Sequence, residues 1–304
     1  MASTVTSPET APHVHFLIPC YGGQISEATF TSFVRFSLQA REWGIDWTLD
    51  TLVNESLIPR GRNALVARAM ANPLATHMMF VDSDIMFEPA DILSLLQEDV
   101  DIIGGGYPKK NLPIDYVINQ CPDGLQDERK IEVLRLGTGF MMIKRGVFER
   151  LAAANPHLKY MDDCGLDPSL NQYLYAYFDC GLVPGHNVYM SEDWMFCNRW
   201  RDLGGKVFLS KRFALGHIGT FLFSETAQMR LLSSMPTPTV QVAELKPIAK
   251  VGKLAKGEDT PLKEARAKEP RVKEAKSSKP AKPERPASTS RSRRARVQPT
   301  RQSA

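Results

Sequence analysis

The sequence predicts an α/β fold, in which a mainly parallel sheet carries helices on both faces, followed by a disordered C-terminal tail. Short apolar runs alternate with segments of helical periodicity from residue 13 to about residue 232, and such alternation implies a parallel sheet. The chain has 304 residues and is 43% hydrophobic, which is enough for one substantial core or two small ones. Residues 233–304 are rich in Lys, Arg, Pro and Ala and do not continue the pattern.

Several predicted elements have a recognisable boundary. Pro19 ends the first apolar run, Pro89 suits the first turn of a helix because its missing N–H would be unpaired there, and Gly204-Gly205 ends the last helix. The predicted strands are residues 15–18, 45–53, 77–81, 100–103, 140–143 and 207–209. The predicted helices carry apolar residues at helical spacing: Phe30, Phe33, Val34 and Leu38; Leu65, Val66, Ala69 and Met70; Ile92, Leu95 and Leu96; a short helix through Leu151; and Phe196, Trp200 and Leu203.

The charge divides the chain into an acidic body and a basic tail. Residues 246–304 contain 18 Lys and Arg against 6 Asp and Glu, a charge of +12, which leaves −8 for residues 1–245 in a chain of net charge +4. Because the tail has no aromatic residue, it cannot bury enough apolar area to offset an ordering cost of ~1–2 kcal/mol per residue. We expect the tail to be disordered, like the leader 1–12. It either binds nucleic acid or an anionic surface or serves only to solubilise the protein.

The cysteines and the N-terminal residues favour a cytoplasmic protein. The five cysteines are odd in number, widely spaced and without a CxxC pair, so we expect reduced thiols rather than a disulfide or zinc framework. No apolar run approaches the ~18 residues of a membrane span. The first residues also lack a basic region followed by an apolar stretch, so we expect no secretion signal.

Asp82-Ser83-Asp84 follows the buried strand 77–81. In parallel sheets, ligands bind beyond the carboxyl ends of the strands. Two carboxylates one residue apart repel each other unless a cation or hydrogen-bond donors lie between them. Because Mg²⁺ and Mn²⁺ prefer such oxygen ligands and share phosphate oxygens, the motif predicts a divalent cation that bridges to a diphosphate. Asp and Ser are also common capping and turn residues, which is the alternative.

Two further polar motifs lie near the end of the predicted domain. His217 lies between two glycines after a strand, where a neutral imidazole could complete the coordination begun by the aspartates; a packed or solvent-exposed histidine is the alternative. Glu192-Asp193 opens a helix, and the helix dipole alone favours acidic residues there. The functional interpretation is a general base, which takes a proton from an attacking hydroxyl.

Basic and glycine-rich runs supply the remaining candidates. Arg60, Arg62 and Asn63 precede the second helix, where guanidinium groups and a helix N-terminus suit phosphate or base recognition. Lys109, in a Tyr-Pro-Lys-Lys run after three glycines, could close over an anionic donor. Gly139, in Gly-Thr-Gly-Phe before a strand, permits a sugar or acceptor to lie against the backbone. Exposed loops are the alternative for both lysine-containing and arginine-containing runs.

Residues 155–190 form a long segment rich in Tyr and Gly with little periodicity. A loop of this length is usually functional, so the segment is a candidate lid over an acceptor. Tyr173, Tyr175 and Tyr177 alternate, and an amphipathic strand is the alternative.

The order and spacing of these motifs resemble the GT-A glycosyltransferases, especially the family-2-like enzymes and their relatives in bacteria and large viruses. The resemblance spans about residues 14–220 and implies a single Rossmann-like GT-A domain that transfers a sugar from a nucleotide-diphosphate-sugar to an acceptor hydroxyl. The matching segments are Phe16-Leu17-Ile18-Pro19-Cys20-Tyr21, Arg60-Gly61-Arg62-Asn63, Met79-Phe80-Val81-Asp82-Ser83-Asp84, Gly105-Gly106-Tyr107-Pro108-Lys109-Lys110, Gly137-Thr138-Gly139-Phe140, Ser191-Glu192-Asp193 and His217-Ile218-Gly219.

The resemblance also implies roles for individual residues. Asp84 would bind Mn²⁺ or Mg²⁺ directly, Asp82 would contact the ribose or the metal through water, and His217 would be a further metal ligand. Asp193, beside Glu192, would be the general base if the enzyme inverts configuration. The nucleotide would be held by Pro19, Cys20, Tyr21, Arg60 and Asn63. The metal would neutralise charge on the leaving diphosphate.

Departures from the family pattern limit which class of GT-A enzyme the resemblance implies. The second acidic motif lacks the Gln-x-x-Arg-Trp run of processive synthases and no membrane helix follows it, which argues against a polymerising membrane synthase. Cys20-Tyr21-Gly22 stands where Thr/Ser-Tyr-Asn is usual, so the contact to the base stays open. Retaining enzymes share the aspartates and the histidine, so the stereochemistry stays open as well.

Two other functions compete with glycosyl transfer. A sugar-1-phosphate nucleotidyltransferase shares the sheet, but it needs Arg and Lys in the loop after the first strand, and Tyr21-Gly22-Gly23-Gln24-Ile25 has neither. A nucleic-acid-binding protein would use the basic tail, with the acidic body as a non-catalytic scaffold and no need for a metal. A combination is a glycosyltransferase that the tail tethers to DNA or RNA.

Overall fold

The structure, a computed structural model, describes residues 11–116, 118–183, 187–212 and 215–226. The disordered tail predicted over 233–304 lies outside the described residues. The disordered leader predicted over 1–12 also lies outside them, apart from its last two residues. The strands are, in chain order, β1 (His13–Cys20), β2 (Asp46–Val53), β3 (His77–Val81), β4 (Ile85–Met86), β5 (Ile102–Gly104), β6 (Asn119–Gln120), β7 (Lys130–Arg135), β8 (Phe140–Lys144), β9 (Gly181–Leu182), β10 (Tyr189–Met190), β11 (Val207–Ser210), β12 (Gly216–Ile218) and β13 (Leu222–Phe223).

Five α-helices are formed by the described residues, and each follows a strand closely in the chain. They are α1 (Glu27–Ala40), α2 (Ile58–Ala71), α3 (Pro89–Gln97), α4 (Arg145–Ala154) and α5 (Glu192–Asp202). Three short 3₁₀ turns, Tyr21–Gly23, Pro156–Leu158 and Pro168–Tyr173, lie in the connections. Each helix that the sequence predicts is present, with its bounds shifted by a few residues.

The main sheet of the described part has eight strands in the order β2-β1-β3-β8-β5-β11-β7-β6. Six of them run in one direction, whereas β8 and β7 run against their neighbours. This confirms the mainly parallel sheet, with two reversed strands that periodicity does not reveal. Because β8 is antiparallel to β3, its first residue, Phe140, pairs with the last residue of β3, Val81. The segment before β8 therefore lies at the edge where β1, β3, β5 and β11 end.

Helices cover both faces of the sheet, as predicted. Side chains of successive strand residues point to opposite faces, so Leu17 and Phe80 pack on the face of α2, α4 and α5, whereas Phe16 and Met79 pack on the face of α1 and α3. Each face has its own buried apolar cluster. The edge at which the parallel strands end lies between the two layers of helices, and its loops are therefore held from both sides.

Helix α1 turns a different face to the core than its apolar spacing suggests. Phe30, Val34 and Leu38 are exposed, and Phe33 and Phe36 are buried against Phe16. The inner face also contains small polar residues, of which Ser32 is buried; its hydroxyl donates to the Ala28 carbonyl and accepts from the Phe87 backbone N–H. These hydrogen bonds satisfy a polar group inside the core, and an apolar pattern does not detect such a residue.

The long segment 155–190 contributes to the core. Tyr177 and Phe178 are buried, and Phe178 stacks on Phe196 of α5 with ring centroids 4.5 Å apart. The alternating tyrosines do not form a strand; Tyr175 makes an isolated bridge with Lys159. All five cysteines carry free thiols. In the described ranges we find no helix with the length and apolarity that crossing a bilayer requires.

Candidate active site

A small second sheet brings His217 to the Asp82-Ser83-Asp84 motif. Strand β4 begins directly after Asp84, and β12 pairs with it so that His217 lies opposite Ile85. The backbone N–H of Ile218 donates to the Asp84 carbonyl at 2.8 Å. As a result, Nε2 of His217 lies 3.6 Å from Oδ1 of Asp84. This strand pairing places together two residues that are 133 positions apart in the chain.

The second nitrogen of His217 is held by the backbone. Nδ1 lies 2.8 Å from the carbonyl oxygen of Pro108, and a carbonyl can only accept, so Nδ1 carries the proton. In the neutral imidazole Nε2 is then an acceptor, and it faces the carboxylate of Asp84. Two acceptors at this separation need a proton or a cation between them. A hydrogen bond from Nδ1–H to a backbone carbonyl is also how metal-binding histidines are commonly oriented.

Lys110 neutralises Asp84. Its Nζ lies 2.5 Å from Oδ2 of Asp84, and both side chains are partly exposed, at 40% and 33%. Burial alone would raise the pKa of Asp84, but His217, when Nε2 carries a proton, and Lys110 both hydrogen-bond the carboxylate and outweigh burial, so that the net shift of the Asp84 pKa is downward. Asp84 is therefore a carboxylate at neutral pH, with an ammonium on one oxygen and an imidazole near the other.

Asp82 is paired with a different cation. Its Oδ1 accepts from Nη2 of Arg62 at 3.2 Å, and Nε of the same guanidinium lies 3.3 Å from Oε1 of Glu192. The Arg62 side chain is only 6% exposed and packs over the ring of Phe80. Among the described residues, no group of three His, Cys, Asp or Glu side chains lies close enough to share one metal ion. Asp84 and His217 come together, and Asp82 is directed to Arg62.

Asp193 lies in the first turn of α5 with one carboxylate oxygen already bonded. Its Oδ1 accepts from the hydroxyl of Ser191 and from the backbone N–H of Trp194. Its Oδ2 points toward Gly137, 3.6 Å from where a β-carbon would stand. Burial is the main cause that raises the pKa of Asp193, and the neighbouring charge of Glu192 adds to it.

A cavity of about 450 Å³ reaches three of these residues, Lys110, Asp193 and His217. It is lined by Lys109, Lys110 and His217 together with Gly137, Asp193 and Trp194. A single cavity is therefore lined by two lysines, a histidine and an aspartate whose carboxyl pKa is raised. A larger cavity of about 1110 Å³ shares Gly106 with it.

The position of the Tyr107 ring explains why glycines flank Thr138. Its ring lies so close to Gly139 that a β-carbon there would stand 2.6 Å from the ring, and one at Gly137 would stand 2.5 Å from the hydroxyl oxygen. The backbone N–H of Gly139 donates to that hydroxyl at 3.2 Å, and the Gly139 carbonyl accepts from the Asp82 N–H at 2.9 Å. The ring of Tyr107 also meets His217 edge-on at 5.3 Å. At Gly139 the backbone is thus approached by a tyrosine of the chain itself.

The predicted nucleotide-binding residues lie outside the cavity. Arg60 forms a two-point ion pair with Glu55, at 2.6 and 2.9 Å. The buried amide of Asn63 donates to the Phe178 carbonyl and accepts from the Phe178 N–H, at 2.8 and 2.9 Å. Pro19 lies within β1 and Tyr21, at the end of that strand, is 69% exposed. Of the predicted donor contacts only Lys109 lines the cavity, where its Nζ is 2.6 Å from Asp115.

Arg62 and Tyr107 are central to the site. The sequence suggests phosphate or base recognition for Arg62, but its guanidinium is paired with Asp82 and Glu192, and the sequence assigns no individual role to Tyr107. Arg62 shares one side of α2 with Leu65, Val66 and Ala69, at intervals of three, four and seven residues. An arginine on the buried side of a helix requires carboxylate partners, and this is the signal that distinguishes it from Arg60. No comparable signal identifies Tyr107, because its contacts come from the connection between β7 and β8 and from His217 of β12, which are far from it in the chain.

Neither a protein-family model nor a curated protein matches the chain. Solved structures align with it, among them A197 from STIV, with 15% identity, a TM-score of 0.41 and coverage of 68% of this chain and 86% of that one. The catalytic domain of Drosophila β1,4-galactosyltransferase 7 aligns with 15% identity and a TM-score of 0.37 over 69% and 71% of the two chains. The inositol-1-phosphate CTP transferase from T. maritima aligns with 10% identity and a TM-score of 0.36 over 69% and 89%. Scores and identities this low establish neither a shared activity nor a shared site.

Proposed function

We propose that the chain is a glycosyltransferase that moves a sugar from a nucleotide-diphosphate-sugar to an acceptor hydroxyl. One observation carries the proposal: a carboxylate of raised pKa, Asp193, shares a cavity of about 450 Å³ with Lys110 and His217, and these two contact Asp84. Glycosyl transfer needs an acceptor for the hydroxyl proton and positive charge for the leaving diphosphate. The sequence motifs that resemble GT-A enzymes supply the same assignment independently.

The charge at the Asp84 end of the cavity suits a diphosphate. Lys109 and Lys110 provide ammonium groups, and cations at this point stabilise a leaving group that gains negative charge. Asp84 and His217 fit Mn²⁺ or Mg²⁺, because the neutral imidazole, with Nδ1–H bonded to the Pro108 carbonyl, presents its Nε2 lone pair beside a carboxylate that Lys110 helps to keep ionised. Asp82 does not fit a direct ligand, since its carboxylate faces Arg62. A divalent cation on Asp84 and His217 would neutralise charge on the departing diphosphate.

Asp193 has the properties of a general base. Ser191 and the Trp194 N–H hold Oδ1, which fixes the direction of Oδ2. A carboxylate of raised pKa accepts a proton more readily than an ordinary one. In the proposed step, the acceptor oxygen bonds to the anomeric carbon as its proton passes to Oδ2, and the bond from that carbon to the diphosphate oxygen breaks with its electron pair. This role belongs to an inverting transfer, and the anomeric configuration of the product reports it.

Arg62 and Glu192 maintain the positions of the two halves of the site. The guanidinium connects Asp82, at the end of β3, with Glu192, at the start of α5. Glu192 is therefore a positioning residue for its neighbour Asp193 in this proposal. Contacts from Pro19, Tyr21, Arg60 and Asn63 to the donor stay predictions from the resemblance, and a contact at Gly139 stays a prediction from the glycine-rich run.

A screen of nucleotide sugars with Mn²⁺ or Mg²⁺, followed by detection of released nucleotide, tests the proposal. We expect turnover with at least one donor, loss of turnover in Asp84→Ala, and near loss in Asp193→Ala with donor binding retained. Release of pyrophosphate from a nucleoside triphosphate and a sugar-1-phosphate would instead identify a nucleotidyltransferase. If the chain binds nucleic acid but turns over neither nucleotide sugars nor a nucleoside triphosphate with a sugar-1-phosphate, the non-catalytic scaffold alternative is favoured.

The basic tail is relevant to the identity of the acceptor. Its charge of +12 over 246–304 would attract nucleic acid or an anionic surface with strong salt dependence. We propose no further role for it within the transfer reaction. Comparison of the full chain with a chain lacking 246–304, on polymeric and small acceptors, separates a tether from a solubilising segment, since unchanged rates on both acceptors would end the tether.

A further inference from the structure

We propose that Lys110 is a placeholder for the divalent cation: it neutralises Asp84 when the donor is absent and transfers its charge to the diphosphate when the donor and the metal are bound. The inference rests on the proposed metal–diphosphate site, and it assigns to one lysine two successive partners within that site.

The two aspartates of the motif differ in how firmly their cations are held. Arg62, the partner of Asp82, is 6% exposed and bonds to a second carboxylate, Glu192. Lys110, the partner of Asp84, is 40% exposed, and Asp84 is its one carboxylate partner among the described residues. Removing a buried, doubly paired guanidinium is costly, whereas a half-exposed ammonium pair contributes little and exchanges readily. Only Asp84 is therefore free to change its cation.

The path of the Lys110 side chain is compatible with such a movement. Its Cδ would be 3.2 Å from a β-carbon on Gly219, so the absence of a side chain there leaves room for the stem. Lys110 also lines the cavity that contains Asp193 and His217. A lysine has a flexible four-carbon stem, and a small rotation is enough to take the ammonium from Asp84 into that cavity. The diphosphate of the donor would lie there.

His217 indicates where on Asp84 the divalent cation would bind, at the carboxylate oxygen that Lys110 does not contact. Lys110 bonds to Oδ2, and Nε2 of His217 faces Oδ1. With Nδ1 engaged by Pro108, the pair of acceptors is satisfied by a cation that both can bind. The same cation would compete electrostatically with the Lys110 ammonium at Asp84. Binding of the metal and departure of Lys110 are then coupled, and an anion in the cavity favours both.

The test is calorimetric titration of the full-length chain with Mn²⁺ alone and with preformed Mn²⁺–pyrophosphate. The variant is Lys110→Met, which keeps the stem and removes the charge. The matched control for Mn²⁺ alone is Lys109→Met, because the Lys109 ammonium pairs with Asp115 and not with Asp84. For Mn²⁺ alone we expect Lys110→Met to bind about 1.4- to 5-fold more tightly than wild type, the range that an exposed ion pair of ~0.2–1 kcal/mol allows. For Mn²⁺–pyrophosphate we expect weaker binding by Lys110→Met, because the ammonium that would meet the phosphates is gone.

The opposite signs of the two effects are the distinguishing result. Equal or weaker binding of Mn²⁺ alone by Lys110→Met overturns the inference, as does an equal gain in Lys109→Met or no Mn²⁺ binding in any variant. Asp84→Asn should abolish the difference between wild type and Lys110→Met. Opposite signs without turnover of any nucleotide sugar would keep the lysine exchange and remove the transferase assignment. Sugar transfer with no effect of Lys110→Met on Mn²⁺ binding would remove the exchange alone.

Discussion

Replacement of Asn63 by Ala separates a structural role of this residue from a nucleotide-binding role. The Asn63 amide is 3% exposed, and both of its polar atoms bond to the backbone of Phe178, at 2.8 and 2.9 Å. Phe178 is itself fully buried and stacks on Phe196. The substitution therefore leaves a buried N–H and a buried carbonyl without partners in the core.

The expected cost follows from these two groups. Each buried polar group that loses its partner costs ~1–3 kcal/mol, so Asn63→Ala should lower the free energy of unfolding by roughly 2–6 kcal/mol. For a domain of this size a loss of 1 kcal/mol lowers Tm by ~2–4 °C, and the expected decrease is at least ~4 °C. Because Phe196 lies in α5, three residues after Asp193, we also expect slower turnover at temperatures near the lowered Tm.

Urea unfolding and thermal melts of the full chain, with UDP and GDP titrations below Tm, measure the effect. Arg60→Ala is the control, since it breaks a part-exposed pair with Glu55 and should cost no more than ~1 kcal/mol. Stability within ~0.5 kcal/mol of wild type for Asn63→Ala, together with loss of nucleotide binding, would show that the amide contacts the nucleotide and that the structural argument is wrong.

Three further outcomes are expected. Asp193→Asn should reduce kcat by ~10²–10⁴-fold, the contribution of a general base, and should raise Tm at pH 7 because it removes a charge that burial disfavours; unchanged kcat would remove the base. Burial raises the pKa of Asp91 to about 6, above ~3.9 in an unfolded chain. Because the folded chain binds this proton more tightly, the stability that Asp91 contributes decreases as pH rises from about 4 to 6. The Tm values of wild type and Asp91→Asn should therefore be similar at low pH and differ above that range. Gly139→Ala places a β-carbon 2.6 Å from the Tyr107 ring and should lower the free energy of unfolding by ~1–3 kcal/mol through overpacking. Adding Tyr107→Leu to the same chain should restore part of that stability. If the losses of the two single variants simply add in the double variant, the contact is excluded.

The fold could be predicted from the sequence to a large extent because it depends on local patterns. Alternation of short apolar runs and helical periodicity placed β3, α3 and α5 within a few residues of their observed bounds. The pattern did not identify the reversed direction of β8, since strand direction depends on how loops return to the sheet. In α1 the pattern was right for Phe33, which is buried, and wrong for Phe30, Val34 and Leu38, which are exposed.

The sequence predicted several residues of the candidate site, but it did not predict the contacts that connect them. The acidic motif, Asp193 and His217 were singled out by residue type and position, and strand pairing brings His217 to Asp84. Arg60 and Asn63 were chosen from the same run as Arg62, but the helix directs each of the three side chains differently. The turn of ~100° per residue along a helix sends Arg62 to Asp82, Asn63 to Phe178 and Arg60 to Glu55.

The sequence by itself determined which elements form and which residue types are available, because hydrophobic periodicity and turn chemistry act over a few neighbouring residues. Only the tertiary structure decided the partner of each charged group: Asp82 with Arg62, Asp84 with Lys110 and His217. The physical reason is that an ion pair depends on a distance of a few ångströms between side chains far apart in the chain, and that distance is set by sheet register and helix packing.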